Sequence, residues 1–500
     1  MTGESILGQA IPADRTAACK YLRTRHPRFV YESFAIEFEG DALQVKFHFR
    51  FDPGIEFTPE TTFHGVNRER LESISGATLE KLFFHIGLIE MLSYWKAACS
   101  PEIVVRAGTV NHEQIQWWMD LIERGMGEFF YVNQIDFWAA DFVRIVAEPD
   151  EEKNQQQVPR VARDDSKGVR GGDGGAGVRQ TDKTGNTNDE STGLVLTSGG
   201  KDSVVTLELL RQAGRNFDCL FLNPAEAAMA VARQAGCSRE RIIQRVIDPR
   251  LQELNAAGYL NGHTPFSALL AFLGVTAAYL YGNSTVIVSN ERSAEEATAQ
   301  FHGREVNHQY TKNLRFEGAF REYAKRYLTP DVDYFSLLRP VYELQIARMF
   351  SRHPEYLTLF KSCNRGMKTN SWCGRCPKCL FVYTALYPFL SREQMLAIFG
   401  EDLFAWQGSL TVLQALLGLD RDKPFECVGT REETLVAIYL CAEKYKEQRV
   451  PLPDSLREIG KTVLASQRDL PERSRLVLGA WSDQNYLPPD LAERVRRISQ

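Results

Sequence analysis

A short glycine-containing loop limits the possible folds of this chain more than any other segment. Leu194 to Leu196 predicts a buried strand, the residues TSGGKDS (197–203) follow it, and Val204 to Ala213 predicts a helix that Gly214 ends. Glycines here let backbone N–H groups approach an anion, and the start of the helix adds partial positive charge. The pattern predicts a phosphate-binding turn, with a plain helix cap made by Ser198 as the structural alternative.

The side chains of this loop also suit a nucleotide. Two serine hydroxyls can donate to phosphate oxygens, Lys201 adds a full charge, and Asp202 can hold Mg²⁺. The loop is not a Walker loop, because GKD replaces GK[ST]. SGGKDS after a strand closely resembles the signature SGGxDS of the PP-loop, or N-type ATP pyrophosphatase, superfamily, whose members adenylate a substrate oxygen. This resemblance implies the ATP-binding residues Thr197, Ser198, Gly199, Gly200, Lys201, Asp202, Ser203 and Asn223.

The segments after this loop alternate between short apolar runs and helical stretches, which is typical of a parallel α/β sheet. The predicted strands are Cys219 to Leu222, Arg241 to Ile247 and Thr285 to Val288. The predicted helices are Ala225 to Ala235 and the strongly apolar Phe266 to Tyr281. The second helix is too short to span a bilayer comfortably, so we expect it to be buried in the core.

The first 146 residues predict a separate α+β domain. Leu43 to Phe51 alternates apolar and polar residues, and Phe34 to Phe38 should pair with it as a hairpin through Gly40-Asp41. A helix over Ala77 to Ala98 and a capped helix starting at Asn111 should follow. The segment GMGEFFYVN (125–133) predicts an aromatic strand; it is either core or a substrate-binding face.

A segment without large apolar side chains separates this domain from the loop. Residues 147–193 contain no Leu, Ile, Phe, Tyr or Trp, so burial cannot offset their backbone entropy and a flexible Gly-rich linker is expected. The predicted division of the 500 residues is an N-terminal domain (1–146), the linker (147–193), a PP-loop ATP pyrophosphatase domain (194–345), a four-cysteine zinc-binding segment (346–400) and a C-terminal helical region (401–500).

Four of the ten cysteines lie close together. Cys363, Cys373, Cys376 and Cys379 have the spacing of a tetrahedral zinc site with four thiolate ligands and two Cys-x2-Cys steps. All four ligands come from the protein, so the zinc should be structural, and an iron–sulfur cluster is the alternative metal group. Dispersed spacing of the other six cysteines favours a reduced, cytoplasmic protein over a disulfide framework.

Polar residues follow the predicted strands at the edge where open α/β sheets bind ligands. These candidates are Asn290, Glu291, Arg292, His302, Arg304, His308, Tyr310 and Arg339. Each of them is either a site residue or an ordinary surface-loop residue.

Several motifs together resemble one family, the MurL family of UDP-N-acetylmuramoyl-L-alanyl-L-glutamate epimerases. They are VSNERSAEE (288–296), GREVNHQYTK (303–312), YFSLLRP (334–340), SCNR…WCGRCPKC (362–379), KPFECVGT (423–430) and the GEFFYVN segment. The resemblance implies ATP-dependent inversion of the terminal L-Glu of UDP-N-acetylmuramoyl-L-alanyl-L-glutamate in peptidoglycan biosynthesis, with Mg²⁺ and structural zinc. It also implies functional coupling to a ligase that adds L-Glu.

The resemblance suggests a role for each candidate residue. Lys201 and Asp202 would act on the departing pyrophosphate, and Asn290, Arg292, Arg304 and Arg339 would bind substrate carboxylates and phosphates. The proton-transferring base would be among Glu291, His302, His308 and Tyr310.

Other functions remain open at this point. They are 7-cyano-7-deazaguanine synthase, a tRNA-modifying PP-loop enzyme, and a non-catalytic nucleotide-binding protein. The first does not explain the large N-terminal domain. A net charge of −5 and a pI of about 6.1 argue against a nucleic-acid partner, and no segment predicts a membrane span.

Overall fold

The structure is a computed structural model that describes residues 10–139, 141–148, 192–366, 369–419 and 422–499. Most of the predicted linker, residues 149–191, therefore lies outside the described residues. The strand before these residues, which ends at Ala147, and the strand after them, which begins at Gly193, belong to the same sheet.

One large sheet organises the described part of the chain. Its strands are β1 (Arg28–Glu39), β2 (Ala42–Asp52), β3 (Ile55–Phe57), β4 (Glu60–Phe63), β5 (Glu102–Val105), β6 (Arg144–Ala147), β7 (Gly193–Leu196), β8 (Phe217–Leu222), β9 (Glu240–Val246), β10 (Thr285–Val288) and β13 (Asp333–Ser336). The order is β13-β10-β7-β8-β9-β4-β2-β1-β5-β6, with β3 beside β2. A separate small hairpin pairs β11 (Ala299–Phe301) with β12 (Arg304–Val306).

Five neighbouring strands, β13, β10, β7, β8 and β9, run parallel. Side chains alternate between the two faces of this part of the sheet, because successive residues of a strand point in opposite directions. On β7, Leu194 packs into one apolar core and Val195 into another on the opposite face. The predicted α/β architecture is confirmed, and the carboxyl ends of the parallel strands share one edge.

The N-terminal strands extend this sheet. The predicted hairpin is confirmed: β1 pairs antiparallel with β2 from Arg28↔Asp52 to Glu39↔Ala42, with one irregularity in register. Strand β4 then pairs antiparallel with β9, from Glu60↔Val246 to Phe63↔Ile243. This contact joins the strands before and after the linker into a single sheet, which the sequence did not predict.

Helices cover both faces of the sheet. They are α1 (Arg15–Arg25), α2 (Arg68–Glu72), α3 (Gly76–Glu90), α4 (Leu92–Trp95), α5 (His112–Gly125), α6 (Gly127–Val132), α7 (Lys201–Gln212), α8 (Glu226–Gln234), α9 (Pro249–Ala256), α10 (Phe266–Tyr281), α11 (Leu314–Tyr327), α12 (Glu343–Phe350), α13 (Pro377–Leu386), α14 (Arg392–Phe399), α15 (Ser409–Leu416), α16 (Arg431–Glu447), α17 (Asp454–Thr462), α18 (Leu470–Leu478) and α19 (Pro489–Ser499). Helix α10 is buried along most of its length, as predicted, and packs against α3. Within the described residues, no helix is both long and apolar enough to cross a membrane.

The prediction of a strand over residues 125–133 is wrong, because this segment forms α6. The buried residues Met126, Phe129, Phe130 and Asn133 recur at helical spacing, and Asn133 Nδ2 donates to the carbonyl oxygen of Asn261 at 3.0 Å. Packing of this apolar face makes the segment helical, because it outweighs the preference of aromatic residues for strands. The helix places Glu128 next to residues that are far away in sequence.

Candidate functional site

A cavity of about 290 Å³ opens at the carboxyl edge of the parallel strands. Its apolar wall includes Leu220, Phe266, Leu270 and Leu273. Its polar wall combines the glycine loop with residues that follow β10 and precede α11, namely Ser198, Asp202, Ser203, Asn290, Glu291 and Lys312. An apolar slot beside convergent polar groups is typical of a small-molecule site.

The glycine loop is shaped by close packing. Gly199 has a φ of +79°, and a Cβ atom there would lie 2.6 Å from the backbone nitrogen of Ala228. A Cβ on Gly200 would lie 2.8 Å from Ser362 Oγ. Gly200 precedes α7 and supplies no side-chain cap, so the first N–H groups of α7 can meet an external anion. The predicted phosphate-binding turn thus has the required backbone.

The loop's hydroxyl groups are partly engaged within the protein. Ser203 Oγ accepts a hydrogen bond from the Ser198 backbone N–H at 3.0 Å and lies 3.1 Å from Ser198 Oγ. The Thr197 hydroxyl turns away and donates to the Val195 carbonyl oxygen at 3.1 Å. The side-chain amide of Asn223 bonds both the backbone N–H and the carbonyl oxygen of Arg245. Asn223 lines the cavity, but its side-chain amide is already engaged with the backbone of Arg245.

Lys201 is buried beneath the loop between two carboxylates. Its side chain is 1% exposed, its Nζ lies 2.5 Å from Asp202 Oδ1, and it also contacts Glu343 at the start of α12. Burial opposes protonation of Lys201, but the two carboxylates outweigh it and raise its pKa. Burial and the charge of Asp202 raise the pKa of Glu343 to about 7. Asp202 keeps 25% of its side chain exposed and faces the cavity.

A second ionic group lies across the cavity. Lys312 Nζ donates to Cys427 Sγ at 3.2 Å, and both Lys312 and Glu291 line the cavity. Glu291 is 3% exposed, and burial raises the pKa of its carboxyl group. Burial lowers the pKa of Lys312, but the charges of Cys427 and Glu291 outweigh it and raise the value overall.

His308 joins this group from the side of α6. Its Nδ1 lies 2.5 Å from Glu128 Oε2, and its Nε2 lies 3.8 Å from Cys427 Sγ. Burial opposes protonation of His308, but the hydrogen bonds to Cys427 and Glu128 raise its pKa to about 9. His263 is a third neighbour, with its Nδ1 3.7 Å from Glu128 Oε2.

Arg339 is placed behind the cavity wall. It is 1% exposed, and its Nε donates to Glu317 Oε2 at 3.0 Å. Its other nitrogens donate to the carbonyl oxygens of Glu291, at 2.8 Å, and of Lys312. The guanidinium group, predicted to bind substrate, is occupied with holding the backbone of two cavity residues.

Four other predicted site residues lie away from this cavity. His302 is exposed at the turn between β11 and β12, with a φ of +47°. Arg304 is an exposed partner of Glu123, and Tyr310 donates to Asp120 on α5 at 2.6 Å. Arg292 stacks on Tyr342 and lines a separate cavity of about 370 Å³. The structure therefore brings Asp202, Asn290 and Glu291 together at the cavity, with His308 reaching the same group through Cys427.

The four clustered cysteines form a compact site. Their sulfur atoms all lie within 4.8 Å of one another, with Cys376 Sγ 3.4 Å and Cys373 Sγ 3.7 Å from Cys379 Sγ. Tetrahedral zinc–thiolate bonds place sulfur atoms about 3.8 Å apart, so the donors fit such an ion. Cys363, Cys376 and Cys379 are buried, which suits a closed structural site.

This cysteine segment also touches the candidate site. The Lys361 N–H donates to the Gly199 carbonyl oxygen at 3.0 Å, just before Cys363. Lys378, between Cys376 and Cys379, contacts the Cys427 carbonyl oxygen. A metal in the cluster would therefore hold both the loop and the backbone at Cys427 in place.

Three site residues were not singled out from the sequence: Lys312, Glu343 and Cys427. Each belongs to or adjoins one of the family motifs: Lys312 ends GREVNHQYTK, Cys427 lies in KPFECVGT, and Glu343 is the third residue after YFSLLRP. These residues could have been found from the sequence, because each is a charged or nucleophilic residue in or beside such a motif. Their mutual placement comes from folding alone.

Together, the fold and cavity define an α/β protein in which a glycine loop at a helix N-terminus and several acid–base side chains line one cavity. Comparison with known proteins adds the family. The model of the MurL N-terminal domain matches residues 21–337, and that of the MurL C-terminal domain matches residues 359–469. The chain belongs to the MurL family.

Curated relatives agree with this assignment. A protein of Xanthomonas oryzae pv. oryzae is 32% identical over 456 residues, which cover 90% of this chain and 92% of the relative. A Micromonospora protein is 34% identical over 384 residues, or 76% and 79% of the two chains, and a Salinispora tropica protein is 40% identical over 267 residues, or 53% and 58%. All three are named UDP-N-acetyl-alpha-D-muramoyl-L-alanyl-L-glutamate epimerase. No solved structure matches the chain.

Proposed function

We propose that this protein uses ATP to invert the terminal L-Glu of UDP-N-acetylmuramoyl-L-alanyl-L-glutamate, releasing AMP and diphosphate. The observation that carries the proposal is the shared cavity, where the anion-binding loop faces Glu291 and Lys312 across one space. Activation of the carboxylate by a nucleotide and proton transfer at the adjacent α-carbon can then act on the same glutamyl residue. The names of the relatives supply the substrate.

The chemistry explains why an epimerase needs ATP. Removing the α-proton beside a free carboxylate would build a second negative charge on a group that is already anionic. Conversion of the carboxylate to an acyl-adenylate removes its charge and makes the carbonyl an electron sink. The α-proton then comes within reach of an ordinary side-chain base. Protonation from the opposite face, followed by hydrolysis of the anhydride, would give the D-Glu product.

The PP-loop assignment gives each loop residue a role. The N–H groups around Gly199 and Gly200 would bind the departing diphosphate, and Lys201 would add positive charge from below. The partly exposed Asp202 carboxylate suits a Mg²⁺ ion, whose charge would offset that of the phosphates. The apolar wall at Phe266 and Leu270 would accept the adenine ring.

We further infer that Cys363, Cys373, Cys376 and Cys379 hold a structural zinc ion. Four thiolates leave no open coordination position, so the ion would stabilise the fold and not take part in the reaction. The ion would also stabilise the candidate site. Lys361, beside the cysteine cluster, contacts the glycine loop, and Lys378, within the cluster, contacts the backbone of Cys427.

The direct test is incubation of the protein with ATP, Mg²⁺ and the UDP-linked L-Ala-L-Glu substrate, followed by chiral analysis of the released glutamate. We expect D-Glu and AMP to form together and only when ATP is present. AMP release without inversion would instead indicate a ligase or another adenylating enzyme. Inversion without ATP would contradict the acyl-adenylate.

Asp202→Asn provides the matched variant for this test. The side-chain volume is nearly unchanged, whereas the charge facing the nucleotide is lost, so AMP formation should collapse while the thermal midpoint of unfolding stays close to that of the wild type. The control Asp490→Asn removes a carboxylate that pairs with Arg215 at the surface, and it should keep full turnover. Wild-type turnover in Asp202→Asn would place the nucleotide elsewhere.

A further inference from the structure

We propose that Cys427 is the base that removes the α-proton on one face of the activated glutamyl residue, and that Glu291 serves the opposite face. This inference rests on the proposed function. It assigns proton transfer to a cysteine that belongs to neither the zinc cluster nor the phosphate loop.

The position of Cys427 is the first argument. Lys312 lines the cavity and its Nζ donates to Cys427 Sγ at 3.2 Å, so the sulfur lies directly behind a cavity group. Cys427 is half-buried and is not itself part of the cavity lining in this structure; it lies one contact behind Lys312. Glu291 lines the same cavity, and its charge also acts on Lys312. The ammonium group therefore faces both proposed proton carriers.

The neighbours of Cys427 favour a thiolate. Burial raises the pKa of the thiol, but Lys312, His308 and Lys378 lower it well below its ordinary value. His308 in turn is held by Glu128 at 2.5 Å and has a pKa of about 9, so a protonated imidazole beside the sulfur favours the thiolate. The charged groups that face this pair are Lys312, Lys378, Glu128, His263, Glu291 and Glu426.

Glu128, His308 and Cys427 form a chain of contacts assembled from three distant segments. His308 lies 180 residues after Glu128 and 119 residues before Cys427. Glu128 contacts His308 and His308 contacts Cys427, so we regard both as positioning residues that hold the thiolate and its counter-charge.

The proposed step balances in protons and electrons. The Cys427 thiolate takes the α-proton and becomes a thiol, while the C–H electron pair moves into the adenylate carbonyl to form an enolate. The Glu291 carboxylic acid, whose pKa is raised by burial, then donates its proton to the opposite face of Cα. The electron pair returns to carbon, and Glu291 is left as a carboxylate. Proton exchange with solvent restores both groups before the next turnover.

The test separates adenylation from proton transfer. Cys427→Ser and Glu291→Gln are each assayed for substrate-dependent pyrophosphate–ATP exchange, for inversion, and for deuterium uptake at Cα in D₂O. We expect both variants to retain the exchange reaction and to lose about 100- to 10,000-fold in inversion. Cys237→Ser, which alters a thiol remote from the cavity lining, is the control and should behave as wild type.

The isotope pattern is the most specific outcome. With one base removed, the other still exchanges the α-proton on its own face. When the L- and D-glutamyl isomers are supplied separately, one variant should therefore deuterate only the L-isomer and the other only the D-isomer. Near-normal inversion by Cys427→Ser would overturn the assignment, as would deuteration of the same isomer by both variants. A covalent glutamyl–Cys427 adduct in the intact mass would also overturn it, because the thiol would then be a nucleophile.

A second measurement does not depend on turnover. Iodoacetamide labelling of Cys427 in the wild type, followed by peptide mass spectrometry, should have its midpoint at a pH well below the ordinary thiol value, because the neighbouring cations favour the thiolate. Lys312→Met should shift the labelling profile towards higher pH. A profile with its midpoint near the ordinary thiol value of about 8.5 would refute the proposal.

The proposed function and the base assignment can fail separately. If the wild type shows no substrate-dependent pyrophosphate exchange, the proposed function is overturned and the base assignment with it. If exchange and inversion occur but Cys427→Ser retains both, only the base assignment is overturned.

Discussion

Replacing Arg339 tests whether this residue binds substrate or supports the cavity wall. The guanidinium is buried against Glu317, which is 1% exposed, and Arg339 also holds the carbonyl oxygens of Glu291 and Lys312. Arg339→Met keeps the approximate length of the side chain but leaves a buried carboxylate without its counter-charge. Loss of one partner of such a pair costs about 3–5 kcal/mol in the free energy of unfolding.

A second substitution should restore part of this loss. Glu317→Gln removes the unpaired charge, while the amide oxygen can still accept the hydrogen bond from the Ser336 N–H, 2.8 Å long in the wild type. The double variant should therefore be more stable than Arg339→Met alone. Its remaining deficit, about 1–3 kcal/mol, reflects the two carbonyl oxygens that lose a donor.

The effect should also depend on pH. Burial raises the pKa of Glu317 and the charge of Arg339 opposes the rise, so Arg339→Met should raise it further. Lowering the pH protonates the carboxyl group and removes the buried charge, because the folded state then binds the proton more tightly than the unfolded state. The stability deficit of Arg339→Met should therefore shrink as the pH is lowered towards the ordinary glutamate pKa of about 4.3, whereas that of the double variant should stay nearly constant.

Urea unfolding followed by tryptophan fluorescence, together with kcat and KM, distinguishes the two roles. The control Arg304→Met removes an arginine that is 56% exposed and should change the unfolding midpoint little. If Arg339→Met unfolds like the wild type and only raises KM, the structural role is wrong and Arg339 binds substrate.

Three further predictions concern the loop, the metal and the linker. Gly199→Ala should abolish AMP formation, because a Cβ atom at a φ of +79° would meet the backbone of α8. The control Gly303→Ala has a similar φ of +72° but open space around it, so it should retain turnover in the same assay. Cys376→Ser should lose bound zinc by elemental analysis and lower the thermal midpoint, whereas Cys441→Ser should keep the metal. Deletion of residues 168–183, which contain no large apolar side chain, should leave turnover intact, and a steep loss of activity would show that this segment acts on the site.

Much of this protein is determined by local patterns in the sequence. The strand–loop–helix at residues 194–213, the hairpin of β1 and β2, helix α10 and the cluster of four cysteines are all where the sequence predicts them. Each depends on interactions within a short stretch of chain: side-chain periodicity, turn-forming glycines, or the spacing of metal ligands. The same local character explains why the candidate loop and cysteine residues could be named in advance.

Only the tertiary structure decides which distant residues meet. Burial against neighbouring elements makes residues 127–132 a helix, and pairing of β4 with β9 joins two segments into one sheet. The fold brings Cys427 to Lys312 and His308, and it pairs Arg339 with the buried Glu317. These contacts depend on how apolar faces pack across more than a hundred residues, which no local pattern encodes. The sequence alone therefore determines most of the elements and the loop, whereas the set of acid–base groups around the cavity exists only in the folded chain.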